Sequence, residues 1–287
     1  MADLNPFVST LYERAHWTNE IINKGAFLRL GIMEETITDM HLLTIAEKHS
    51  DHVLTKKFTR REEGAKSGAD WLWVIGEPGS WISLLIQAKI INPKTGNCQY
   101  LDYKNGEQRR KLLLYARQNK LIPIYCIYSS IPSSFSPPQI LDYTGRKKED
   151  WACSFVSPRT IRLLSEKGLK NQKDILRFGI PWMDLFKIYN VESISTGQAI
   201  ADRIVYIRNN IDKSCIKKIT SSSETANYTL SKRTDWEGLD TQKAIVRTIP
   251  RFICNMFKDS YNPSDIPFSE ASVISTVPIK QISELQI

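Results

Sequence analysis

Apolar and polar residues recur along this chain with periods that predict a series of helices and strands. Residues 8–24 place Val8, Leu11, Tyr12, Ala15, Trp17, Ile21 and Ile22 at helical spacing, which predicts a helix with one covered face. Residues 27–49 carry a partial stripe (Leu30, Met33, Ile37, Met40, Thr44) broadened by Leu42, Leu43 and Ile45, and predict a longer helix bearing Glu34 and Glu35. Residues 53–60 alternate, as expected of a strand with one polar face, and residues 60–67 read as a charged connection. Two runs rich in β-branched and aromatic residues, 68–75 and 81–89, flank Gly76-Glu77-Pro78-Gly79-Ser80. That break is turn chemistry, so the pair predicts a β-hairpin.

Folding the hairpin about Pro78-Gly79 sets Ile75 opposite Ile82, Trp73 opposite Leu84 and Asp70 opposite Gln87. Directly opposed residues, and residues two apart on one strand, share a face. Asp70, Gln87 and Lys89 are therefore expected on one side of the hairpin. Trp71 and Trp73 face away and, with Trp81, read as core anchors.

Residues 92–106 predict a loop with a docked aromatic segment at 99–103. Residues 107–120 predict a helix that buries Leu112, Leu113, Tyr115 and Ala116 and turns Arg109, Arg110, Lys111 and Arg117 to solvent. Residues 121–128 are nearly all apolar and predict a strand buried on both faces, parallel to an earlier one, with Pro123 at its start. A Ser/Pro-rich loop at 129–138 and a charged surface segment at 145–150 follow. Short helices are expected at 159–167, at 170–189 with Pro181 interrupting, and at 197–211. Residues 213–233 read as a polar, flexible connection and 241–257 as helical around Pro250. The mixed pattern of 273–287 predicts no element.

Composition adds bounds. The chain has 287 residues, 41% hydrophobic and 24% charged, enough for a packed core. A formal charge of +8 favours a polyanionic partner without requiring one. The five cysteines are scattered, with no C-x-x-C pair, so neither a zinc ribbon nor a disulfide framework is expected and the thiols suit a reducing compartment. The first residues lack the pattern of a secretory leader, and no apolar run reaches membrane-spanning length. The expectation is a soluble cytoplasmic protein. His41, His49 and His52 are poorly spaced for a metal site and read as solvent-facing helix residues. No phosphate-binding G-x-x-x-x-G-K-[ST] loop and no G-x-S-x-G nucleophile elbow occurs.

The predicted order is helix, strand, strand, strand, helix, strand. Asp70 stands at the start of the second strand and Gln87-Ala88-Lys89 at the end of the third. This combination resembles the PD-(D/E)xK nuclease superfamily, and its Gln-x-Lys form resembles the Mrr-like restriction endonuclease branch. Gly-Ala-Asp-Trp followed by Gln-Ala-Lys is also similar to a set of bacterial proteins associated with phage defence. The resemblance covers residues 27–128. It implies an α/β fold, a restriction-endonuclease-like αβββαβ core with a mixed sheet flanked by helices, over residues 1–149. Residues 150–287 are expected to form a mainly helical appendage.

The resemblance also implies a Mg²⁺- or Mn²⁺-dependent endonuclease acting on nucleic acid, DNA before RNA, in a bacterial defence or restriction setting. Asp70 would be the principal metal ligand, Gln87 would supply its side-chain oxygen, and Ala88 its backbone carbonyl. Lys89 would orient the attacking water or stabilise developing charge. Glu35, or its neighbour Glu34, would complete the site, and Gln108 would touch the site or the phosphate backbone. Two departures stand out: Gln87 replaces a carboxylate, which lowers the negative charge offered to a cation, and Ala69 replaces the usual proline. The alternative is an inactive nuclease-fold module that binds nucleic acid or a partner protein. A homo-oligomer or a defence-system partner, without membrane association, is compatible with either.

Overall fold

A computed structural model describes residues 3–138, 146–187, 194–219 and 244–258. Helix α1 spans Asn5–Phe27, with Pro6 in its first turn, where a missing N–H costs nothing. Helix α2 spans Glu34–His49, seven residues shorter at its start than the apolar stripe predicts. The chain reverses between the two helices, with Arg29 in a left-handed conformation (φ 57°), and Leu30 and Met33 are left on the outside. Strand β1 (Val53–Lys57) leads to a short helix α3 (Arg60–Glu62) and a wide turn at Glu63–Ser67. Strands β2 (Trp71–Glu77) and β3 (Ser80–Ile90) form the predicted hairpin. Its register pairs Trp73 with Leu84 and Ile75 with Ile82, as turn geometry predicts.

Helix α4 (Tyr103–Asn119) carries the chain to β4 (Ile122–Tyr128), which runs parallel to β3. Leu112 and Ala116 are buried as expected, but Leu113 and Tyr115 are only partly so. Arg109 is a correction: it is 6% exposed and pairs with Asp102. The helical wheel alone assigns an arginine to solvent, whereas the loop before α4 folds a carboxylate under it.

The C-terminal part departs most from expectation. A four-residue strand β5 (Cys153–Val156) pairs antiparallel with β4. Beyond helices α5 (Pro158–Glu166) and α6 (Gln172–Arg177), a two-residue strand β6 (Ile180–Pro181) closes a six-stranded mixed sheet of order β1-β2-β3-β4-β5-β6. Both strands are too short to show an alternation, and the helix expected at 170–189 breaks well before Pro181. The division expected at residue 150 falls inside a 3-10 turn, Lys148–Ala152. Phe155, Trp182 and Phe186 make edge-to-face or tilted ring contacts with Trp73, and Phe186 also meets Phe7 of α1, ring centroids 5.0 Å (Phe7–Phe186) to 6.4 Å (Trp73–Phe155) apart. The Trp182 indole N–H donates to the Leu11 carbonyl at 2.8 Å. Residues 153–186 therefore complete one core with the first strands.

Helix α7 (Thr196–Ile207) packs on the hairpin, and α8 covers Lys213–Ile219, where a flexible connection is expected. A further helix spans Arg251–Lys258. The rest of the 213–233 and 241–257 predictions, and all of 273–287, lies outside the described residues.

Of three polar residues expected at the surface, His41 and Asp150 are buried and His49 is partly covered. His41 is 1% exposed, accepts from Arg14 Nε at 3.0 Å and contacts the Thr18 hydroxyl at 2.9 Å. Asp150 meets His16 at 2.9 Å, and the His49 ring reaches Thr10 at 2.8 Å. Each finds its partner on α1 or on the segment facing it, a long-range pairing that local patterns do not encode. The tryptophans behave as predicted: Trp71 and Trp73 are fully buried and Trp81 nearly so. Cys98, Cys126, Cys153 and Cys254 are buried and form no disulfide among the described residues. No helix among the described residues is long and apolar enough to cross a membrane.

Candidate active site

Asp70 lies at the mouth of the hairpin, one residue before β2, because of how the chain enters it. Gly68 ends the wide turn in a left-handed conformation (φ 63°), and a Cβ there would meet the Gln108 carbonyl at 2.4 Å and the Leu112 nitrogen at 2.8 Å. Only glycine lets α4 sit this close while the backbone reverses. The Asp70 N–H then donates to the Ile86 carbonyl at 2.8 Å, extending the ladder so that Asp70 faces Gln87.

The structure brings together the three residues singled out by register. Asp70 Oδ2 accepts from Gln87 Nε2 at 2.5 Å and from the Ala88 backbone N–H at 2.6 Å. Gln87 Nε2 also donates to the Ala88 carbonyl at 3.0 Å. The other end of that amide, Gln87 Oε1, is buried with no hydrogen-bond partner among the described residues. An orphaned buried oxygen costs free energy on the order of 1–3 kcal/mol. Lys89 is 7% exposed, and its ammonium acts on Asp70 and Glu34 through its charge without closing onto either as an ion pair.

Glu34 and Glu35 begin α2 but point to different places. The Glu34 carboxyl is half-buried, turned in towards β3, and accepts from the Ile90 N–H at 2.9 Å. Glu35 is turned to solvent and receives Arg60 Nη2 at 3.1 Å. Burial pushes the Glu34 carboxyl up to about 7, with Lys89 and the Ile90 N–H partly opposing the shift. Burial also raises the Asp70 carboxyl well above the usual carboxylate range, and the neighbouring Glu34 and Glu63 carboxyls push it the same way. The pocket thus holds negative charge reluctantly and would hold it readily beside a cation.

Glu63 is a residue that sequence reasoning missed. It sits in the wide turn after α3, and Gln108 Nε2 donates to its Oε1 at 2.6 Å. Nothing local distinguishes it from Glu62, which instead caps α3 through Thr59. Gln108, expected to touch the site or the phosphate backbone, thereby contacts Glu63, and its own Oε1 is buried with no hydrogen-bond partner among the described residues.

Two clefts meet at this cluster. One, of about 610 Å³, is lined by Glu34, Glu35, Glu63, Lys89 and Gln108 together with the α1–α2 turn and the loop after β3. The other, of about 470 Å³, shares the three glutamates and adds Asp70, Lys57 and Arg60. A larger hollow of about 870 Å³ lies beside Phe135, Lys173 and Arg177, and no carboxyl group lines it among the described residues.

Among the described residues, no three His, Cys, Asp or Glu side chains are grouped tightly enough to hold a metal ion. An ion at Asp70 would have to draw on amide and carbonyl oxygen. Those donors are present: Asp70 Oδ2 and the Ala88 carbonyl already converge on the Gln87 amide. The two ends of a side-chain amide are interchangeable by a rotation, so the orphaned Oε1 can join them as a third oxygen. This all-oxygen set suits a hard cation such as Mg²⁺ or Mn²⁺.

No curated protein matches the chain. The model of a family of unknown function, DUF6615, matches residues 8–271, and the chain belongs to that family.

Proposed function

We propose that this protein is a metal-dependent nuclease of the PD-(D/E)xK type that hydrolyses phosphodiester bonds, with DNA its first candidate substrate. The single observation that carries the reading is the pocket at the open end of the hairpin. There two half-buried carboxyls meet beneath two clefts with an amide oxygen and an ammonium that have, among the described residues, no hydrogen-bond and no ion-pair partner respectively. The order of elements from α2 to β4 agrees with the restriction-endonuclease-like core that the sequence resemblance implies. By the same resemblance, its setting would be bacterial defence against phage.

Asp70, Gln87 Oε1 and the Ala88 carbonyl would hold the divalent ion, with Glu34, rather than the outward-facing Glu35, closing the site. Bound there, the ion would lower the pKa of water and neutralise charge on the phosphoryl group. The side chains supply the rest. Lys89 brings a positive charge to the cleft floor, where it can orient a water or stabilise oxyanion charge as it develops. Glu34, which a cation would hold in its charged form, could take up the proton that the attacking water releases. With one fewer carboxylate than an acidic-x-Lys site, affinity for the ion is expected to be low and to rise with a bound phosphate.

The test is cleavage of plasmid, single-stranded DNA and RNA by the full chain, with and without Mg²⁺ or Mn²⁺. Lys89→Ala and Asp70→Ala are expected to lower metal-dependent cleavage by about 10²-fold or more. Absence of cleavage in every condition, or variants as active as wild type, would sink the proposal. A second reading, a binding module that has lost catalysis, draws on Gln87 and on the absence, among the described residues, of a trio of acidic, His or Cys ligands. Calorimetry separates the two, because the module predicts salt-sensitive nucleic-acid binding with no uptake of Mg²⁺ or Mn²⁺.

A further inference from the structure

The wall of the larger cleft is built by the segment between β3 and α4, and its construction is specific. Residues 92–98 are pinned by backbone hydrogen bonds: Asn92 N–H to the Asn97 carbonyl at 2.9 Å, Cys98 N–H to Lys170 at 2.8 Å, and Gln172 N–H to Gly96 at 2.8 Å. Leu101 is fully buried, and Asp102 is clamped by Arg109, both side chains 7% exposed. The residues on either side of this anchor point outward. Tyr100 is 58% and Tyr103 44% exposed, their ring centroids 5.9 Å apart and their planes at 80°. Immediately afterwards Lys104, Asn105 and Gly106 all adopt left-handed conformations (φ 49°, 52° and 84°). Such a run is costly for residues other than glycine, and strain of this kind gathers at binding and catalytic segments.

An exposed aromatic pair on a fixed loop beside a charged cleft calls for a flat ligand with its own charge. The rim carries cations, Arg29 and Lys94 in the cleft lining and Lys104, whose ammonium lies 5.6 Å from the Tyr103 ring centre. The floor carries Lys89 and the carboxyl cluster. An apolar peptide seated here would leave those buried charges uncompensated. A duplex keeps its base faces stacked inside, out of reach of side chains on a rim, and a cleft of about 610 Å³ matches small-ligand pockets, with room for about one or two nucleotides.

We infer that Tyr100 and Tyr103 form a base-stacking platform that makes an unpaired nucleic-acid strand the ligand of this cleft. The strand's bases lie on the two rings, its phosphates meet Arg29, Lys94 and Lys104, and its path descends toward Lys89. Stacking on aromatic side chains tolerates any base and contributes enough per base to be read by substitution. The inference rests on the nuclease reading for what happens at Lys89, but the platform itself is a binding property.

The experiment therefore separates binding from cleavage. Fluorescence anisotropy in EDTA compares the full-length wild type, Tyr100→Ala/Tyr103→Ala and Tyr100→Phe/Tyr103→Phe on labelled oligodeoxythymidylate, oligouridylate and a mixed-sequence blunt duplex. Circular dichroism verifies that each variant is folded. The expected result is tighter binding of a single strand than of duplex, weakened about tenfold or more by the double alanine variant and retained by the double phenylalanine variant. Preference for one of the two single strands identifies the sugar. Equal binding by wild type and the alanine variant, duplex bound as tightly as single strand, or no binding by wild type would each overturn the platform. Cleavage by wild type, Tyr100→Ala/Tyr103→Ala and Lys89→Ala is then measured with Mn²⁺ on the same oligonucleotides. A chain that binds through the tyrosines without cleaving refutes the nuclease reading alone, and one that cleaves without needing them refutes the platform alone.

Discussion

Replacing Glu34 by glutamine is expected to make the metal-free protein more stable at neutral and alkaline pH. The Glu34 carboxyl is enclosed by the start of α2 and the end of β3, and its folded-state pKa is raised from 4.5 to about 7. Below 4.5 it is protonated in both folded and unfolded chains and costs nothing. Between 4.5 and 7 the unfolded chain releases the proton while the folded chain keeps it, so stability falls as pH rises. Above 7 the loss is complete. The displacement corresponds to roughly 3 kcal/mol, at about 1.4 kcal/mol per tenfold change in the proton equilibrium. Glutamine removes this cost while its amide oxygen can still accept from the Ile90 N–H. Urea denaturation in EDTA, at about pH 5 and about pH 8, would measure it, the difference between wild type and variant cancelling the titrating groups that Glu34 does not touch and including the relief of its neighbour Asp70. Glu34→Gln should gain about 2–3 kcal/mol on wild type between the two conditions, whereas Glu35→Gln, at an exposed position, should stay within about 0.5 kcal/mol. A pH-independent difference, or a glutamine variant less stable at the higher pH, would refute the claim that the fold confines a carboxylate here against its own stability.

Two other outcomes follow from the packing. Arg109→Met should destabilise by about 3–5 kcal/mol because it leaves Asp102 buried without its partner, and Asp102→Leu/Arg109→Met should recover most of that loss in the same urea assay. Trp182→Ala should cost about 3–5 kcal/mol, and a chain ending at residue 150 should fail to fold by circular dichroism, because Phe155, Trp182 and Phe186 close the core over Trp73. A soluble, cooperatively folded truncation would restore the two-part division that the sequence pattern suggests.

The first half of this protein is legible because its signals are local. Alternation and turn chemistry in residues 68–89 were enough to derive the hairpin register, and with it the meeting of Asp70, Gln87 and Lys89, since a strand's side-chain period leaves one answer once the turn is placed. The apolar run at 121–128 announced a strand buried on both faces for the same reason. β5 and β6 are not legible because strands of four and two residues show no period; β5 pairs because β4 is there to receive it, and β6 pairs in turn with β5. His41, Asp150 and Arg109 were misplaced because a helical wheel reports the side on which a residue stands and says nothing about what will be packed against it.

The candidate site divides along the same line. By itself the sequence determined which carboxylate, amide and ammonium share a face, because that depends on strand geometry between near neighbours. Tertiary structure alone decided that Glu34 turns inward and Glu35 outward, that Glu63 joins the cluster through Gln108, and that Tyr100 and Tyr103 overlook it. Those placements depend on where α2, the turn after α3 and the loop before α4 come to rest against the sheet, and that is decided by burial and hydrogen bonding summed over the whole core rather than by any stretch of the chain.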